Sequence, residues 1–145
     1  MTKAELSRFV RVHIFAQLYD DSEGDQAGTA IYSLSDPRDI RAIRYVGQTR
    51  SPRRRFKQHL STARLWLPDE RPFWVSVPEL RPLYEWIRAL YQDEHRLPTM
   101  VVHEWLPTAL QARLRERTRI YECLLQRLPL LNAEAQLVRL QMPLI

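Results

Sequence analysis

The stretch TAIYSLSDPRDIRAIRYVGQTRSPRRRFKQHL, residues 29–60, brings together two tyrosines, a glycine, a crowd of arginines and a histidine. A guanidinium presents a planar fork that matches phosphate oxygens, while phenol and imidazole can pass protons beside it. Such a set belongs either to a solvated hairpin next to a charged helix or to a site that grips and cuts a phosphate backbone. Charge distribution bears on the choice. The chain carries a net charge of +5, yet residues 36–59 alone carry +6 and the rest carries −1. A focused basic patch favours a polyanion, most often nucleic acid. An arginine-rich, solvated helix face is the plainer reading of the same residues.

The elements that must position these groups can be read around them. TAIYSLS alternates as a strand, IRAIRYVG does the same, and DPRDIR lies between them as a turn, which makes an antiparallel hairpin. Alternation puts Ala30, Tyr32 and Leu34 on one face, and Ile43 and Tyr45 together on one face of the partner strand. Ser51 followed by Pro52 reads as a helix start, with a capping hydroxyl and then a proline whose missing N–H costs nothing at the first helical position. Arg55 and His59 then share a helix face. PELRPLYEWIRALYQDEH is a second helix with Leu83, Trp86, Ile87 and Leu90 at core spacing. PTMVVHEWLP is a third strand. TALQARLRERTRIYECLLQRLP is a long helix capped by Thr108, its apolar line running through Leu110, Leu114, Tyr121, Leu124 and Leu128, with Glu116 at its edge. The expected fold class is α+β, a small three-stranded antiparallel sheet flanked by helices.

The 145 residues suit one domain with one core, and a content of 45% hydrophobic and 27% charged residues fits a folded chain. No apolar run is long enough to span a bilayer, and the N-terminus lacks the apolar core of a secretory signal. Cys123 is the lone cysteine, which excludes an internal disulfide and a cysteine zinc cluster. A cytoplasmic protein with no membrane partner is the expectation. Residues 1–28 read as an N-terminal extension, 29–134 as the domain proper, and 135–145 as an apolar tail that could serve self-association or a protein partner.

At this point the motifs match a family. Ala30, Ile31 and Tyr32, followed after the hairpin by Tyr45, Val46 and Gly47, resemble the two signature tripeptides of the GIY-YIG nuclease superfamily. QTRSPRRRFKQH resembles that family's first helix, whose arginine and histidine fall on Arg55 and His59. The long helix supplies a glutamate at Glu116, and the family's trailing asparagine falls on Asn132. The resemblance spans roughly residues 29–134. It implies a GIY-YIG-like fold and hydrolysis of DNA phosphodiesters with one Mg²⁺, for which Mn²⁺ is a possible substitute. Tyr32, Tyr45, Arg55, His59 and Glu116 would be catalytic, with Glu116 holding the metal and Tyr32 the expected base. Arg50, Arg53, Arg54, Lys57 and Asn132 would meet the nucleic acid. DNA repair or recombination is the kind of process implied.

Each assignment has a plainer competitor. The tyrosines could be ordinary strand aromatics, Gly47 a turn glycine and Asn132 a helix-end cap, while Glu122 competes with Glu116 for the metal. Alanine at position 30 replaces the family's first glycine, and its methyl group could narrow the cleft. That departure, with the basic patch, also fits a catalytically weak or inactive nucleic-acid-binding module of the same fold.

Overall fold

The computed structural model describes residues 14–15 and 28–135. All of the apolar tail 135–145 except Ala135, and most of the N-terminal extension, lie outside the described residues. The elements in chain order are β1 (Ile14–Phe15), β2 (Thr29–Asp36), β3 (Asp39–Thr49), α1 (Pro52–Ala63), α2 (Arg81–Glu94), β4 (Thr99–Leu106) and α3 (Ala109–Leu125). A single 3₁₀ turn, Phe73–Ser76, lies between α1 and α2. The fold is α+β, with β2, β3 and β4 forming the expected antiparallel sheet. The short β1 adds to it by pairing parallel with β4, giving the order β1-β4-β2-β3. No helix among the described residues is long and apolar enough to cross a membrane.

β2 is the central strand, and it is buried along nearly its whole length. Its alternation is therefore not core against solvent but one core against another. Tyr32 and Leu34 face a cluster built with Phe56 and Leu60 of α1 and with Leu83 and Ile87 of α2. Ile31 faces the other side, where Val46 packs with Ala112, Ile120, Cys123 and Leu124 of α3. Helices thus cover both faces of the sheet, and each side chain of β2 is fixed by a different layer.

Three local expectations change. The hairpin register shifts between Leu34 and Ser35, so Leu34 pairs with Tyr45 but Ser35 pairs with Ile43. Arg44 is the extra residue of this bulge, and the bulge sends Ile43 and Tyr45 to opposite faces of the sheet rather than to one. Pro52 does open α1, but the Ser51 side chain makes no capping bond. Instead Thr49 Oγ1 accepts from the Ser51 amide at 3.1 Å, so the turn before the helix is held one step earlier. On α3, Thr108 caps as expected, its hydroxyl accepting from the Gln111 amide at 3.2 Å. The helix faces the sheet with Ala112, Ile120, Cys123 and Leu124, whereas Leu110, Leu114 and Tyr121 point outward. Glu116 lies one turn from both Ala112 and Ile120, and so on the stripe that packs against the sheet rather than at the edge of an apolar line.

Candidate active site

Tyr32 sits opposite Gly47 in the β2–β3 pairing. Gly47 is a mid-strand residue, and a Cβ there would lie 2.6 Å from both the Tyr32 hydroxyl and the ring carbon that bears it. The absent side chain is the room into which the Tyr32 phenol lies, which explains the glycine without any turn. Tyr45 is on the same face of β3, its ring centroid 6.1 Å from that of Tyr32. The two signature tyrosines are thus neighbours because the strands pair in this register.

α1 crosses this face and delivers Arg55 and His59 together. His59 is completely buried, 5.5 Å from the Tyr45 ring, and its Nε2 is 2.7 Å from the Tyr32 hydroxyl. Its Nδ1 is 3.1 Å from the hydroxyl of Tyr84 on α2. Tyr84 did not figure among the expected residues. Its signal was a tyrosine beside Leu83 on the buried stripe of α2, since a buried phenol must find a hydrogen-bond partner. A cleft of about 170 Å³ opens beside the cluster, lined by Tyr45, Arg55, Tyr84 and Glu134 among others. Tyr32 is not part of that lining and has no exposed surface.

The electrostatics follow from burial around one cation. Burial, reinforced by Arg55, drives the His59 imidazolium down to a pKa of about 3, so the ring is neutral at ordinary pH. Burial holds the Tyr32 phenol well above its usual range, and Tyr45 pushes the same way. Arg55 opposes that shift through its charge and a hydrogen bond, and it acts on Tyr45 likewise. Arg55 is therefore the one group here that favours both phenolates.

Glu116 reaches this region from the α3 side of the sheet. Burial first, and the neighbouring Glu134 carboxylate second, raise its pKa to about 6, with a hydrogen bond from Gln48 and the charge of Arg117 opposing. Glu116 does not line the cleft, but Glu134 does, and the charge of Glu116 is felt by Tyr45. It forms no salt bridge among the described residues. A partly buried carboxylate pushed up by a second carboxylate, with no salt bridge, is under-neutralised and suits a hard cation. No group of three His, Cys, Asp or Glu side chains suited to a metal occurs among the described residues. Mg²⁺ commonly takes one or two carboxylates and completes its shell with water and phosphate oxygens, so this donor set fits it. Glu122 is exposed on α3, away from the buried stripe.

The basic patch divides. At the hairpin turn, Arg38 pairs with Asp36 at 2.9 Å and Glu94 at 3.0 Å, and Arg41 pairs with Asp39 at 3.2 Å. Arg44 lies over the Trp86 ring, 5.5 Å from its centroid. Arg50 precedes α1, and Arg53, Arg54 and Lys57 lie on it; Arg50 and Arg54 are exposed and Arg53 and Lys57 partly so.

Asn132, expected at the nucleic acid, is buried instead. Its Oδ1 accepts from the Val46 amide at 3.0 Å and its Nδ2 donates to the Val46 carbonyl at 2.7 Å. The Leu131 amide also donates to the Arg44 carbonyl at 2.6 Å. β3 is the edge strand, and this segment satisfies backbone groups that the sheet leaves open, so both amide groups of Asn132 are occupied. Ala30 is fully buried between Thr49 and Trp105 and does not line the cleft, so its methyl group does not narrow it. No protein-family model, no curated protein and no solved structure matches the chain.

Proposed function

We propose that the protein is a GIY-YIG-type endonuclease that hydrolyses DNA phosphodiester bonds with a single Mg²⁺. One observation carries this reading most of the way. Tyr32, Tyr45, Arg55 and His59 form one packed cluster at a cleft, and Tyr45 at that cleft feels the charge of the Glu116 carboxylate.

The DNA backbone would lie along the Arg50–Lys57 segment, with Arg50, Arg53, Arg54 and Lys57 meeting phosphates regardless of sequence. Arg55 would take the scissile phosphate with its fork, which a lysine could not reproduce. The charge of Arg55 would at the same time favour the Tyr32 phenolate, so that phosphate and base share one cation. Tyr32 then serves as the base for the attacking water, with His59 receiving its proton, while Tyr45 at the cleft wall orients the water. Glu116 would hold Mg²⁺, which when bound stabilises the charge that develops on the phosphate and leaving oxygens. Incubation of plasmid DNA with Mg²⁺ and the wild-type, Glu116→Ala or Arg55→Ala protein tests this. Nicking by the wild type alone supports it, and DNA left intact by all three sinks it.

The second reading is a binding module without turnover. It draws on the complete burial of Tyr32, which keeps the expected base from solvent. Salt-sensitive, metal-independent DNA retention with no cleavage of duplex, flap, junction or single-stranded substrates would select it.

A further inference from the structure

Hydrogen-bond accounting around His59 assigns a role to Tyr84. The Arg55 guanidinium has donors only, and its charge favours the ionised Tyr32 phenol, so it offers no acceptor for the Tyr32 proton. The Tyr32 proton is fully buried and must find an acceptor of its own, and His59 Nε2 at 2.7 Å is that acceptor. A neutral imidazole with an unprotonated Nε2 carries its hydrogen on Nδ1. That hydrogen is donated to the Tyr84 oxygen at 3.1 Å. The Thr62 side chain favours the ionised Tyr84 phenol, as a donor to its oxygen would. With its oxygen accepting from Nδ1, Tyr84 keeps its own proton for donation at the cleft that it helps to line.

We infer that Tyr84 is the outlet of a Tyr32–His59–Tyr84 hydrogen-bond chain, fixing His59 as the Nδ1–H tautomer and passing the Tyr32 proton to the cleft. The proton-passing part rests on the reading of Tyr32 as base; the tautomer does not. The transfer balances without a charged imidazole. The Tyr32 O–H bond breaks as Nε2–H forms, Nδ1–H breaks as a new Tyr84 O–H forms, and the original Tyr84 proton leaves to a cleft water. The products are a Tyr32 phenolate, a neutral Nε2–H imidazole donating to it, an unchanged Tyr84 and one solvated proton. A neutral route matters because burial and Arg55 both disfavour the imidazolium. Tyr84 is a positioning residue in this scheme.

The test joins long-range ¹H–¹⁵N correlation of histidine-labelled protein with plasmid nicking in Mg²⁺. His59 in the wild type should show a protonated Nδ1 and an unprotonated Nε2. Tyr84→Phe, which removes the Nδ1 acceptor, should shift the ring toward Nε2–H. It should slow nicking about 10-fold, a part of what proton transfer contributes to such reactions, with DNA retention in gels unchanged. Tyr91→Phe on the same helix should change neither. An Nε2–H ring in the wild type, or a tautomer indifferent to Tyr84→Phe, overturns the assignment. Nicking that proceeds at full rate in Tyr84→Phe overturns the proton outlet. A wild type that cuts nothing while its tautomer still responds refutes the nuclease reading and supports the tautomer assignment. If Tyr84→Phe does not fold, Thr62→Val serves, with slower nicking and an unchanged tautomer expected, and an unchanged rate overturning the outlet.

Discussion

Replacing Glu116 by Gln should make the protein more stable above pH 6 while removing its response to Mg²⁺. The carboxylate of Glu116 is displaced from 4.5 to about 6, chiefly by burial and then by Glu134. At about 1.4 kcal/mol per tenfold, that displacement corresponds to about 2 kcal/mol against the ionised form. Glu116 keeps some solvent contact, so screening reduces the figure to about 1 kcal/mol. The sign follows from which state holds the proton more tightly. Between pH 4.5 and 6 the folded chain does, so this group's contribution to stability falls as the pH rises through that window and stays low above it. Glutamine retains an oxygen for the Gln48 hydrogen bond and never ionises. Thermal melts should therefore coincide near pH 4.5 and separate by about 3 °C at pH 7.5, with Glu116→Gln the higher. Saturating Mg²⁺ should raise the wild-type melting temperature and leave the variant where it was, since only a ligand bound by the folded state stabilises it. A variant that melts at or below the wild type at pH 7.5, or a gap that does not change with pH, would refute the reasoning.

Gly47→Ala should destabilise the fold by about 1–3 kcal/mol and displace the Tyr32 phenol, because the new methyl group would stand 2.6 Å from its hydroxyl. Urea unfolding and near-ultraviolet dichroism of the tyrosines would register both. Asn132→Ala should cost about 2–3 kcal/mol in the same urea assay, since it strips partners from a buried amide and carbonyl of Val46. Its affinity for DNA, measured on the folded fraction, should match the wild type. Arg54→Ala should weaken DNA retention about equally for unrelated sequences and lower the salt slope by about 1, whereas Arg41→Ala, paired with Asp39, should change neither.

What could be read in the sequence was local. Proline at the start of α1, threonine before α3 and the alternation of the hairpin strands act within a few residues, and those elements form where the patterns put them. Strand pairing brings Tyr32 to Tyr45 and one helical turn brings Arg55 to His59, but the docking of the two pairs on each other was implied only by the family resemblance. The remainder depended on distant partners. Asn132 and Val46 are joined across the whole domain, and nothing near Asn132 betrays a buried amide clamp. The outward face of α3 misled because its leucines at Leu110 and Leu114 are solvent-facing, while the buried stripe is made of smaller or less obvious residues such as Ala112 and Cys123. The bulge at Arg44 shifted a face assignment that strict alternation would have kept. Tyr84 was hidden because its helix pattern explains it as core, and only the His59 contact gives its hydroxyl a purpose.

Single-turnover cleavage of duplex, flap, junction and single-stranded DNA in Mg²⁺, with Glu116→Ala and Arg55→Ala beside the wild type, tests the central claim most directly. At least one substrate should be cut by the wild type, and each substitution should slow that cut by about 100-fold or more, as loss of a positioned catalytic charge does. Intact DNA throughout, or cutting that neither substitution slows, would contradict it.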